Sequence, residues 1–525
     1  MRNIQFPVLL LLCAILTACN LAPSPQTILP AGTPALATGA PTAMPPTAML
    51  PTVVSPTAPP PVPTAMPSPA ATTEPFTNTA RLPLRPPTQD GIGDPYYPQL
   101  GNGGYDVQQY TLDLAVDVER NVITGTATIA ARATADLQAF NLDLRGLTVS
   151  RVAVDNAPAA VQRTEHELTI TPAMALRAGQ QFTTTVAYYG TPEAFVPEAV
   201  FLTVGWTRYN NGIYVASEPA GAATWYPVND HPLDKALYTM RITVPKPYVV
   251  AANGVLQQTS DNGATTTYEW ETAHPLASYL VTVDIAKYVV ETANGPNGLP
   301  IRNYFPPEIA DQARAVFAPT ADMITYFSSV FGPYPFEAYG VAVIDANLGF
   351  AMETQTMSVF GRDAATQVPN QAEGVVAHEL AHQWFGNSVS LETWQDIWLN
   401  ESFATYAAWL WSERKLGPGT ADQIAQRVYP QIAQTNLPPT GNPPANDLFN
   451  TGVYERGALV LHALRLTIGD EAFFRTLRTY AERFRYGNAS TPDFVGVAEQ
   501  ASGQNLDAFF DDWLYNAPLP PLPTP

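Results

Sequence analysis

The sequence predicts a multidomain chain: an all-β, sandwich-like domain, then an α/β domain that becomes mostly helical. Three observations predict it. The 525 residues, 46% hydrophobic and 10% aromatic, are enough for two or three cores. Apolar residues alternate with a period of two over residues 105–290. From about residue 306 the period becomes three to four.

Taken in order, residues 1–18 read as an export signal. Arg2 gives a positive start, and an apolar run from Val8 reaches Leu16. The run is too short for a membrane-spanning helix. Leu16-Thr17-Ala18-Cys19 resembles a bacterial lipobox, which implies cleavage before Cys19 and a lipid on its sulfur. That places the protein outside the cytoplasm, anchored to a membrane. A plain secretory signal with an incidental cysteine is the competing reading. Cys13 and Cys19 are the only cysteines, so the mature chain has no disulfide and no thiolate for a metal.

Residues 19–90 read as a disordered tether of Pro, Thr and Ala, because runs such as Pro59-Pro60-Pro61 enter neither helix nor sheet. Residues 91–290 form the β domain. Leu112, Leu114, Val116 and Val118 alternate with polar or small neighbours, and residues 122–130 repeat the pattern after Glu119-Arg120-Asn121. Leu142 with Leu144, Leu168 with Ile170, and Ile242 with Val244 continue it, while Asn253-Gly254 and Asn262-Gly263 mark turns. Residues 291–525 form the second domain. Its pattern predicts a strand at 341–344 and helices over 308–331, 372–385, 401–415, 452–468, 471–484, 491–500 and 506–515. A Pro-rich tail starts at Pro518. The net charge of −20 with only 26 basic residues argues against a nucleic-acid partner.

The chemistry concentrates at His378-Glu379-Leu380-Ala381-His382. On a helix the i, i+4 spacing puts both imidazoles on one face, where they can share one zinc ion. Glu379 adjoins the first histidine and reaches a water beside the metal, the place of a general base. Glu401, separated from His382 by 18 intervening residues and on the next predicted helix, supplies a third ligand and leaves one position open. The alternative is a helix with two buried, hydrogen-bonded histidines. His166-Glu167-Leu168 begins the same way but has no second histidine and sits in a strand pattern, so it reads as surface. His231 and His462 read as structural. Asp396 and Asn400 are candidates for orienting the ligands.

His378 to Asn387, the 18-residue gap and Trp398-Leu399-Asn400-Glu401 together resemble the gluzincin aminopeptidases, the aminopeptidase N and leukotriene hydrolase family. Trp225 to Pro232, Pro275 to Leu280 and Phe509 to Leu514 resemble further stretches, so the likeness spans about residues 100–516. It implies a saddle-like β domain, a thermolysin-like catalytic domain over 291–525, one zinc per chain and peptide substrates. It also implies three residue roles. Tyr454 matches the tyrosine that stabilises the oxyanion; an aromatic at a helix start is the other reading. Gly349-Phe350-Ala351-Met352-Glu353 resembles the motif Gly-Ala-Met-Glu-Asn, whose Glu binds the substrate's α-amino group. Glu218 aligns with a second position that holds that amine, against an ordinary loop acid.

The sequence departs from the family pattern at Phe350 and Thr354, which replace Gly and Asn, and at Arg456, which replaces Lys. The chain ends at Pro525, so no large C-terminal helical domain is expected. The implied activity is a zinc aminopeptidase. An endopeptidase on the same site, and a surface peptide-binding lipoprotein with an inactive site, are the alternatives.

Overall fold

The computed structural model describes residues 78–197, 199–200 and 202–523. The predicted signal, Cys19 and the tether to residue 77 lie outside the described residues. The unbroken alternation around Leu112 produces strand β1 (Tyr105–Asp117), with Val107, Tyr110, Leu112, Leu114 and Val116 buried. β2 (Val122–Ala133) pairs with it antiparallel and β3 (Leu237–Pro245) parallel, at the centre of an eight-stranded sheet. Stacked Tyr110 and Tyr238, with ring centroids 4.9 Å apart, belong to the core under it. A four-stranded sheet pairs Gly212–Ala216 with Val283–Ala286, and Glu218 follows the first of these strands.

The folded part begins earlier than the expected tether boundary at residue 90. Arg81 donates to Asp396 and Glu392, Asn78 to Asp511, and Gln89 to Asn141, so residues 78–90 are packed on both domains. The reason is a single guanidinium that meets two carboxylates, in a stretch whose composition is otherwise that of a linker.

The second domain opens on a five-stranded sheet. Its strands are β4 (Val289–Asn294), β5 (Pro300–Phe305), β6 (Tyr339–Ile344), β7 (Ala351–Met352) and β8 (Ser358–Gly361), in the order β4-β5-β6-β8-β7. β7 is an edge strand, antiparallel to β8. The helix expected over 308–331 is two, α1 (Ala310–Phe317) and α2 (Thr320–Phe331). Pro319 has no N–H to continue the ladder, and Thr320 donates its hydroxyl to the Phe317 carbonyl instead.

Helices α3 (Pro369–Ala381) and α4 (Trp398–Leu416) are buried on nearly every side, as central helices are. α5 (Thr420–Ala433) went unpredicted, with Gly417-Pro418 before it and Pro430 inside it. A π-helical turn, Gly452–Arg456, leads into α6 (Gly457–Arg483). α6 is broken at Gly469 (φ 79°), between the two helices expected there. A Cβ on Gly457 would overlap the Ser402 hydroxyl, so glycine lets this turn approach α4 closely. α7 (Thr491–Ser502) starts with a capping box of Ser490 and Asp493. The last expected helix is a short turn, Asp507–Phe510, running into a π turn, Asp511–Tyr515.

Candidate metal centre and substrate cavity

Pro369 starts α3, where its missing N–H costs nothing. The helix carries His378 and Glu379 on its last turn, and His382 caps it. The chain then turns through Gly386, at φ 122°. A Cβ there would stand 3.3 Å from His382 Nδ1, so the glycine leaves room for the imidazole as well as for the turn. Glu401 lies in the first turn of α4, which packs against α3.

His378 Nε2 and His382 Nε2 are 3.0 Å apart, and Glu401 Oε2 lies 3.2 and 3.5 Å from them. Tetrahedral zinc with bonds of about 2.0–2.1 Å spaces its ligand atoms by about 3.3–3.4 Å. The triangle therefore fits three corners of a zinc tetrahedron, and all three ligand residues line a cavity. The tautomer agrees. His382 Nδ1 lies 3.0 Å from the Phe385 carbonyl, so it carries the proton and leaves the Nε2 lone pair for the metal. Burial opposes the charge of Glu401, but His382 and His378 outweigh it and hold its carboxyl down at about 2. Burial also opposes a charge on His382, yet Glu401, Glu353 and Glu379 raise it to about 10, so a metal would bind Nε2 by displacing a proton. This donor set attracts a cation.

The same point gathers the other candidates. One carboxylate oxygen each from Glu353 and Glu379 lies within 4.8 Å of a His382 nitrogen and of each other; Glu218, Glu353 and Glu401 form a second such group. Burial first, then neighbouring carboxylates, push Glu218 well above the usual range; burial raises Glu379 and Glu353 too, in both cases against His382. Oε1 of Glu353 and Oε1 of Glu218 are buried with no hydrogen-bond partner among the described residues. The Tyr454 ring stacks 5.9 Å from that of His378, on the π turn, and burial followed by four carboxylates keeps its phenol protonated. All these side chains line one cavity of about 350 Å³, whose apolar wall includes Phe350, Met352, Val375 and Phe449.

Other expected residues take different places. His231 is buried with Nε2 3.2 Å from Asp94, and His462 sits between Tyr406 and Asp422. His166 is partly exposed. Asp396 accepts from Arg81, Thr393 and Thr491 and has no hydrogen bond to the three ligands among the described residues, so it ties segments together instead of orienting ligands. Asn400 Nδ2 lies 3.4 Å from the Tyr279 hydroxyl. Arg456 is a clamp: it donates to the carbonyls of Trp513, Asn516 and Ala517.

Three positioning side chains escaped the sequence reading. Gln383 and Asn387 both donate to the Glu353 carbonyl, at 3.0 and 2.7 Å. Lys235 donates to the carbonyls of Asn387, Ser388 and Gly487 and so fixes that turn to the β domain. The signal for Gln383 and Asn387 was polarity inside an apolar stretch right after His382; Lys235, in the β domain, shared no such signal.

Fold and site together define a buried His₂Glu metal centre of the peptidase type. Residues 106–280 match the Peptidase M1 N-terminal domain, and residues 317–513 the Peptidase family M1 domain. Aminopeptidase M1-A of Oryza sativa subsp. japonica is 25% identical over 439 residues, covering 77% of this chain and 50% of the rice protein. The chain spans half or less of the length of the curated relatives it matches. The crystal structure of an M1 zinc metallopeptidase from Deinococcus radiodurans superposes with a TM-score of 0.74 at 31% identity, covering 83% of this chain and 99% of that one. A mutant of that enzyme bound to a Tyr-Ser-Ala substrate gives the same TM-score and identity, over 83% and 100%. The chain belongs to peptidase family M1, the zinc metallopeptidases.

Proposed function

We propose that this protein is a zinc aminopeptidase with one zinc per chain, releasing the first residue of peptides outside the cytoplasm. The observation that carries the reading is the pair of unpartnered buried carboxylates, Glu353 and Glu218, beside the ligand triangle. A charged α-amino group satisfies both, and their closeness to the ligand triangle leaves one residue between amine and scissile bond. The Tyr-Ser-Ala complex of the Deinococcus enzyme supports a peptide as ligand. The lipobox-like Leu16-Thr17-Ala18-Cys19 supports a lipid anchor at Cys19.

His378, His382 and Glu401 would hold the zinc. Bound there, it polarises the scissile carbonyl and makes water nucleophilic near neutral pH. Glu353 and Glu218 fix the amine, and Gln383 and Asn387 hold Glu353 in place through its carbonyl. Glu379 takes a proton from the attacking water and passes it to the leaving amine. Tyr454, kept protonated, donates to the oxygen on which negative charge develops.

The test is hydrolysis of free and N-acetylated aminoacyl fluorogenic substrates, with zinc content measured alongside. Free substrates should be cleaved and acetylated ones spared. Glu379→Ala and Tyr454→Phe should each retain one zinc while losing about 10²–10⁴-fold in kcat. Cleavage of acetylated substrates at comparable rates, or full activity in Glu379→Ala, would sink the reading.

A further inference from the structure

We infer that Phe350 selects the third residue of the peptide, favouring a large apolar side chain there. The inference rests on the aminopeptidase reading and goes beyond it. Gly349, Phe350, Ala351, Met352 and Glu353 all line the cavity, though β7 is only one edge strand. With the two-residue strand β7 (Ala351–Met352) at their centre, these five successive residues line one wall because the segment lies edge-on to it. The free edge of β7, unpaired on the side away from β8, therefore faces the substrate. A peptide can add to such an edge as another strand.

Direction follows from burial. Beyond Glu353 the chain is sealed, with Thr354, Gln355 and Thr356 at most 1% exposed. At the other end Gly349 is exposed. A substrate whose amine meets Glu353 can only run back along β7 toward Gly349, antiparallel to it. Antiparallel pairing advances one residue for one, at about 3.4 Å each. The first substrate residue then lies beside Glu353 and Met352, the second beside Ala351 and the third beside Phe350.

The loop before Phe350 is fixed. Asp363 accepts from the backbone N–H of Leu348 at 3.2 Å and of Gly349 at 3.0 Å, and Gly349 turns at φ 73°. Phe350 is partly buried against the core and turned to the cavity wall. Its ring offers an apolar platform where Gly, in the motif it resembles, offers none.

The experiment compares Leu-Ala-Phe with Leu-Ala-Gly, following release of free leucine, in wild type, Phe350→Ala and Phe350→Leu. The ratio of kcat/KM for the two peptides should be about five- to tenfold in wild type, mostly through KM. It should fall toward one in Phe350→Ala and lie between in Phe350→Leu. Each ratio is internal to one protein, so partial loss of folded enzyme does not disturb it. A flat ratio in wild type, or a ratio preserved in Phe350→Ala, overturns the assignment while leucine release still upholds the aminopeptidase reading. No leucine release by zinc-loaded wild type overturns both.

Discussion

Replacing Glu353 by Gln removes one of two charges from the amine site and leaves its shape. The cost can be worked from the geometry. Glu353 and Glu218 each present a buried oxygen with no partner, in a group whose atoms lie within 4.8 Å of one another. An ammonium between them makes a charge-assisted hydrogen bond to each, worth about 1.5–3 kcal/mol. Glu353→Gln or Glu218→Gln should therefore lower kcat/KM for a free-amine substrate by about 10- to 150-fold. The two carboxylates share one amine, so the effects will not add. The assay pairs each aminoacyl anilide with its desamino analogue, in which hydrogen replaces the amine. The substitutions should cost the first substrate heavily and the second little. Each should also raise Tm by about 1–3 °C, because one of the buried, mutually repelling carboxylates is gone. Equal losses on both substrates, or no loss on either, would refute an amine-binding role and leave these glutamates as structural acids.

Two other predictions concern parts remote from the site. Cys19→Ser should abolish palmitate labelling and move the protein from membrane to soluble fraction; labelled, membrane-bound mutant protein would refute the lipid anchor. Asp284→Asn should remove a pH dependence of stability. Burial raises Asp284 to about 7, against hydrogen bonds from Thr282 and Val215. The folded state thus binds the proton more tightly than the unfolded chain, and wild type loses stability as pH rises from about 4 to about 7, by about 3–4 kcal/mol. The Thr282 hydroxyl lies 3.0 Å from both the Val215 carbonyl and Asp284; it can donate to the first and accept from a protonated Asp284, or from the amide of Asn. Denaturant melts at pH 4, 5.5 and 7 should show the two proteins converging at pH 4, and parallel curves would refute the buried, protonated carboxyl.

What the sequence made legible follows from range. β1 was visible because one face is buried and the period of two holds from Tyr110 to Val116. The ligand helix was visible because His378 and His382 are one turn apart on the same element. Glu401 needed only the next helix. Contacts that join distant segments left no such trace. Arg81 reaches Asp396 across 315 positions, and Lys235 reaches Asn387 across 152. Asp396 stood near Glu401 in sequence and was read as its support, yet its carboxylate is taken up by Arg81, Thr393 and Thr491. In sequence Arg456 stands out only as a replacement of Lys, because the carbonyls it clamps lie about sixty residues on. α5 was lost because Pro430 masks a helix that its neighbours hold in place. These errors are of one kind: local pattern reports which face is buried, not what it is buried against.

The electrostatics give these pieces a single logic. Four carboxylates, Glu218, Glu353, Glu379 and Glu401, converge on two imidazoles in a cavity where charge is poorly solvated. Left alone, such a group is costly, and the raised pKa of Glu218, Glu353 and Glu379 records that cost. A divalent zinc on the His₂Glu triangle offsets two of the four charges, and an α-ammonium between Glu353 and Glu218 offsets a third. The fourth belongs to Glu379, the carboxylate to which the proposed function assigns proton exchange. A peptide with a blocked N-terminus brings no ammonium, so Glu353 and Glu218 stay uncompensated when it enters and the cavity must bury them against a neutral amide. In the proposed aminopeptidase, exclusion of blocked peptides therefore needs no steric gate. It follows from the same excess of negative charge that recruits the metal, which makes selectivity for free N-termini and metal binding two consequences of one arrangement.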